Sequence, residues 1–96
     1  MCDEDVMIEA IENFVNDISE FVNKSGSYTI DGRGKKFGDS EEALDHLVNM
    51  AFGQAQIDDY DDDDFEFADD YLNCTLEENG LALVEKKKGE YVIQAA

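Results

Sequence analysis

Between residues 3 and 24 the apolar positions recur every three or four residues. Met7, Ile8, Ile11, Phe14, Val15, Ile18, Phe21 and Val22 make one wide stripe, which predicts an amphipathic helix. Asp3, Glu4 and Asp5 crowd the first turn and Lys24 sits in the last. Both signs suit the helix dipole. Ser25-Gly26 supplies the stop. The heptad-like spacing is too short for a coiled coil, so it predicts core packing rather than a helical dimer.

The rhythm changes at residue 27. Ser27-Tyr28-Thr29-Ile30 is β-prone, Asp31-Gly32-Arg33-Gly34 reads as a turn, and Lys35-Lys36-Phe37 returns as the second arm of a hairpin. A second helix is expected over about 40–52. Asp39 or Ser40 would cap it, and Ala43, Leu44, Leu47, Val48, Ala51 and Phe52 would be buried. Gly53 would end it, and His46, off the stripe, is expected at the surface. Residues 57–63 read as a loop or helix start. A third helix follows over 64–78, with Phe65, Ala68, Leu72 and Leu76 in line and Phe67 and Tyr71 flanking. A strand over 71–76 competes with it, because Tyr-Leu-Asn-Cys-Thr-Leu tolerates extended backbone. The chain closes with a hairpin: Leu81 to Val84, a turn at Lys86-Lys87-Lys88-Gly89, and a return from Glu90 to Gln94. The pattern predicts one α+β domain over residues 1–96. Its three helices would pack on a small antiparallel sheet formed by two hairpins.

Composition supports a folded core and then raises a problem. Hydrophobic residues make up 43%, with six Phe and four Tyr. Yet 25 acids against 7 bases give a net charge of −18, far beyond the magnitude of about 2–8 that suits a small soluble domain. Self-repulsion at this density destabilises the compact state. Direct binding to nucleic acid or to an anionic membrane is disfavoured. A basic partner or a cation would be favoured. Cys2 and Cys74 form no Cys-x-x-Cys pair, and with His46 they are too few for zinc. They are expected to stay reduced. The start Met-Cys-Asp-Glu-Asp lacks the basic and apolar regions of a signal peptide. No apolar run approaches the roughly 20 residues of a membrane span. The expectation is a cytoplasmic protein. The basic turn around Gly32-Arg33-Gly34 matches neither a Walker loop nor a dinucleotide fingerprint.

The acids concentrate from Asp58 to Asp70, with nine in thirteen residues and no base. Catalysis uses a few carboxylates in unlike environments, and a run of aspartates offers many alike. No enzyme motif accompanies them, so no catalytic residue and no cofactor is assigned. An EF-hand loop needs glycine at its sixth position and glutamate at its twelfth. Counting from Asp58 gives Asp63 and Asp69, and from Asp59 gives Asp64 and Asp70. The motif fails both ways, and no metal site is assigned. The remaining chemistry is mimicry of phosphate. As a helix, residues 58–70 would carry one charge per about 2.2 Å, against one per about 1.7 Å along duplex DNA. Asp39, Glu41, Glu42 and Asp45 would thicken the surface. Tyr60, Phe65 or Tyr71, if exposed, would supply apolar anchors. The candidate partner-binding residues are Asp58, Asp59, Tyr60, Asp61, Asp62, Asp63, Asp64, Glu66, Asp69 and Asp70.

In its small size, extreme acidity, Asp58–Asp70 cluster and lack of enzyme motifs, the chain resembles phage-encoded DNA-mimic inhibitors of the anti-restriction and anti-CRISPR kind. That resemblance implies a basic nucleic-acid-binding protein or complex as partner, within a bacterial defence system. It implies the host cell cytoplasm if the chain is phage-encoded; separately, the chain is expected to be a monomer or a homodimer, with the first helix as the dimer face. The resemblance transfers no site residue by residue. The alternative is an immunity protein or antitoxin that neutralises a basic nuclease toxin, which gene neighbourhood would distinguish. If the acids are uncompensated, added salt raises the melting temperature by screening their repulsion. A melting temperature that stays flat from low to high salt would show them already compensated, by pairing or by a bound cation.

Overall fold

The computed structural model describes residues 4–30 and 37–96. α1 (Glu4–Ser25) is followed by β1 (Ser27–Thr29), α2 (Ser40–Gln54), α3 (Asp62–Glu78), β2 (Leu81–Lys87) and β3 (Glu90–Ala95). The architecture is α+β, three helices with one three-stranded antiparallel sheet.

The apolar stripe of α1 goes where its spacing directs it. Met7, Ala10, Ile11, Phe14, Val15, Ile18 and Val22 are buried. Phe21 stays 48% exposed, its ring edge-on to Tyr28 at 5.6 Å. The helix stops at Gly26, whose φ of +90° lets its N–H turn back to the Val22 carbonyl at 2.7 Å. That left-handed stop suits glycine best.

α2 begins as expected, with Asp39 as N-cap accepting the Glu42 N–H at 3.0 Å. The Glu42 carboxylate in turn accepts the Gly38 N–H. Its end differs from expectation. Gly53 lies inside the helix, which runs to Gln54. The stop falls at Gln56, with φ of +60°. The Ile57 N–H bonds the Phe52 carbonyl at 2.8 Å and the Gln56 N–H bonds the Gly53 carbonyl at 3.2 Å. This double bond pattern closes a helix at a left-handed residue, and half-buried Ile57 packs on the core beside it. Burial of Ile57 therefore sets the stop rather than the nearest glycine.

α3 starts at Asp62, two residues before the expected 64, and runs to Glu78. The competing strand over 71–76 is helix. Ala68, Leu72, Thr75 and Leu76 are buried, and the stripe they complete is helical rather than alternating.

The sheet departs from the expected pair of hairpins. Strand order is β1-β3-β2. β2 and β3 form one hairpin, with Leu83 opposite Ile93. β1 joins the other side of β3, with Tyr28 opposite Ile93. The return arm expected at Lys35-Lys36 lies outside the described residues, and Phe37 is not in a strand. Its N–H bonds the Gly89 carbonyl at 2.8 Å. β3 takes the centre, paired on both edges, and Tyr91, Val92 and Ile93 along it are all buried.

Phe52 is 1% exposed and touches the rings of both Tyr60 and Phe65. It ties α2 to the acidic segment. Phe52→Ala is expected to cost about 3–5 kcal/mol of unfolding free energy, read from urea denaturation. A loss under about 1 kcal/mol would show the ring is not packed as described.

Candidate functional site

The acidic stretch is held in place by its own aromatics. The Tyr60 ring lies 4.9 Å from Phe52 and 5.9 Å from Phe65. Its hydroxyl donates to Asn49 Oδ1 at 3.3 Å. Phe67 and Tyr71 stack at 6.0 Å with nearly parallel rings. The Tyr71 hydroxyl donates to Glu12 Oε1 of α1 at 2.8 Å, and this bond to a carboxylate raises the phenol's pKa above its ordinary value. Tyr60, Phe65 and Tyr71 are half-buried against the core. They anchor the acidic segment inward, and are not free rings waiting for a partner.

The nine acids then divide by what their carboxylates do. Asp61 and Asp64 form a capping box at the start of α3. Asp61 Oδ1 accepts the Asp64 N–H at 2.9 Å, and Asp64 Oδ2 accepts the Asp61 N–H at 3.3 Å. Asp62 and Asp63 occupy the first turn, where the helix dipole favours them. Asp58, Asp59, Asp62, Asp63, Glu66 and Asp70 are exposed. Asp62, Glu66 and Asp70 recur every four residues and so share one face of α3. Asn73 and Glu77, also exposed, continue that face toward the end of the helix.

Asp69 departs from the rest. It is half-buried and lies against α2, within hydrogen-bonding reach of Asp45. One of its oxygens, Oδ1, is buried and has no hydrogen-bond partner. Loss of solvent pushes the Asp69 carboxyl up to about 8. The hydrogen bond to Asp45 and the charges of Asp45, Glu41 and Asp70 push the same way. At neutral pH Asp69 keeps its proton and shares it with the Asp45 carboxylate.

The structure thus brings most of the ten predicted residues onto one loop and one helix face, and turns Tyr60 and Asp69 inward. The role of Asp45 as partner to Asp69 was not visible in the sequence. The two are twenty-four positions apart, and no local spacing signals a contact between helices. His46, expected at the surface, is half-buried with its ring 5.5 Å from Phe37. Cys74 is an exposed free thiol. Among the described residues no three His, Cys, Asp or Glu side chains converge to hold a metal ion, and no helix is long and apolar enough to cross a membrane. Comparison with family models, with curated proteins and with solved structures returned no match. The functional reading therefore rests on the surface itself.

The raised Asp69 pKa makes a signed prediction. Between its ordinary value of 3.8 and about 8 the folded protein holds a proton that the unfolded chain has released. Stability falls as pH rises through that window and levels off above it. Asp69→Asn keeps the shape and removes the ionisation. Melting curves from pH 4 to 9 should show the variant gaining on the wild type as pH rises, and standing above it at pH 9. Parallel curves would mean that Asp69 is ionised in the fold like its neighbours.

Proposed function

We propose that the protein is an acidic inhibitor that occupies a basic nucleic-acid-binding surface, with carboxylates of α3 standing where phosphates would sit. The observation that carries this reading is the exposed row Asp62, Asp63, Glu66 and Asp70 on a helix whose opposite side is buried. From Asp62 to Asp70 the helix rises about 12 Å. Its four exposed charges average one per roughly 3 Å, close to the ~3.4 Å per phosphate along one DNA strand. The density expected from all nine acids was nearer that of both strands. Asp61 and Asp64 are committed to the cap at the start of α3, and Asp69 is half-buried with its proton retained, so these three are left out of the row.

Order strengthens the reading. A disordered acidic tail loses conformational entropy when it binds. Here helix α3 and the inward aromatics have already fixed the carboxylates, which lowers the cost of association. Long-range attraction to a basic groove would speed encounter and make it sensitive to salt. The target class we propose is the nucleic-acid-binding surface of a bacterial defence complex. Surfaces of that kind read backbone and adjacent motif with arginine and lysine, and inhibitors of the type this chain resembles block them.

The test uses a variant that spares the cap and the Asp45–Asp69 pair: Asp58→Asn, Asp62→Asn, Asp63→Asn, Glu66→Gln and Asp70→Asn together. Tagged wild-type protein is expected to capture a nucleic-acid-binding effector from bacterial lysate at low salt, and added duplex DNA should displace it. The neutral variant, folded by circular dichroism, should capture none. Equal capture by the variant with an unchanged salt dependence would exclude this row as the binding surface.

A further inference from the structure

β2 is an edge strand, since the order β1-β3-β2 leaves its outer side without a neighbour. Among the described residues no backbone hydrogen bond reaches that side. Leu81, Ala82 and Leu83 all line a groove of about 490 Å³, together with Leu44 of α2 and Glu77 of α3. The groove therefore lies where β2 meets α2 and α3, beside the strand's free edge. Leu44, Ala82, Leu83 and Val84 are half-buried, so the edge is an incompletely covered apolar strip. The chain contains no proline, one of the usual devices for blocking such an edge, and the bulge of β2, another such device, falls between Glu85 and Lys87, beyond the apolar strip.

The two ends of this strip carry opposite charge. Glu77 and Glu78 are exposed at the Leu81 end, and Lys86, Lys87 and Lys88 are exposed at the other. The six residue steps from Leu81 to Lys87 span roughly 20 Å. That exceeds the screening length of about 8 Å at physiological salt, so the clusters do not neutralise each other within one chain. Glu85, between them, is occupied locally, its Oε2 accepting the Gly89 N–H at 3.0 Å.

We propose that two copies of this chain pair through β2, antiparallel and about a two-fold axis, to join their sheets. The contact is isologous, so each patch meets its own copy. Antiparallel pairing lays Lys86 to Lys88 of each copy against Glu77 and Glu78 of the other. A parallel arrangement would set lysine on lysine. Lysines on an edge ordinarily discourage pairing; here their confinement to one end opposes the parallel arrangement and favours the antiparallel one. The −18 charge of each copy opposes the contact, so pairing depends on the screening of a physiological buffer. The proposal does not use the charged row of α3, and it stands or falls apart from the inhibitor reading.

The experiment is light scattering across a concentration series at about 0.15 M salt, with reductant present so that the exposed Cys74 cannot cross-link copies. Wild-type protein is expected to shift from monomer to dimer as concentration rises. Lys86→Glu, Lys87→Glu and Lys88→Glu together should abolish the shift. Glu77→Lys and Glu78→Lys together should also abolish it, although that variant carries less net charge and repels its copy less. All five changes combined should restore the dimer, although the combined variant is slightly more negative than the wild type. Circular dichroism on each variant confirms that it is folded. A wild type that stays monomeric, a Glu77→Lys/Glu78→Lys variant that dimerises as well as the wild type, or a combined variant that stays monomeric would each overturn the proposal.

Discussion

The structure depends on burying one apolar stripe per helix against the repulsion of 25 acids. α3 shows the contest most plainly. Along its exposed face Asp62, Glu66 and Asp70 recur every four residues, and each like-charge pair at that spacing costs about 0.2–0.5 kcal/mol. On its other face Leu72 and Leu76 are at most 1% exposed, and burial of each such side chain contributes about 1.5–3 kcal/mol. Packing wins by severalfold within the helix. Remote acids add repulsion that is weaker, because exposed charges beyond about 8 Å are screened. The charge lowers the stability of the domain without deciding its fold.

One residue type ends up in three chemical states over a short stretch. Asp61 and Asp64 exchange hydrogen bonds with backbone at the start of α3. They satisfy donors that a helix otherwise leaves to water. Asp69 is turned against α2 and holds a proton that it shares with Asp45. Asp62, Asp63 and Asp70 point outward. The difference comes from position on the helix cycle. A residue one step beyond buried Ala68 is carried partly into the interface with α2, whereas Asp70 is carried away from it. Without that proton the Asp45–Asp69 contact would set two charges side by side out of full solvent.

The α+β class, the helices and the final hairpin were legible because their signals are local. Periodicity marked α1 and α3, and Gly26 lay where α1 stops. The misreadings came where tertiary contacts override local preference. Gly53 signalled a stop that burial of Ile57 moved on to Gln56. Ser27–Thr29 was rightly read as extended, but its partner is β3, more than sixty residues away. No turn chemistry near residue 30 encodes that pairing. At the candidate site, the identity of the acids was legible and their orientation was not. The interleaved aromatics did signal an ordered segment. Only the packing of Tyr60 on Phe52 and the bond from Tyr71 to Glu12 show that those rings face inward.

Order and charge act together at this surface. A flexible acidic tail could reach the same average charge density, but its carboxylates would have no fixed spacing. α3 fixes both spacing and direction, because its inner face is committed to the core and its first turn is closed by a capping box. The charged row is therefore as rigid as the helix that carries it. Pairing through β2 would extend this logic. A two-fold axis perpendicular to the joined sheet carries each element of one copy to the same side of the sheet in the other, so the two α3 rows would lie on the same face of the assembly. Each copy would then present an ordered row to a basic surface, and the second row would engage without a separate encounter wherever the target spans both.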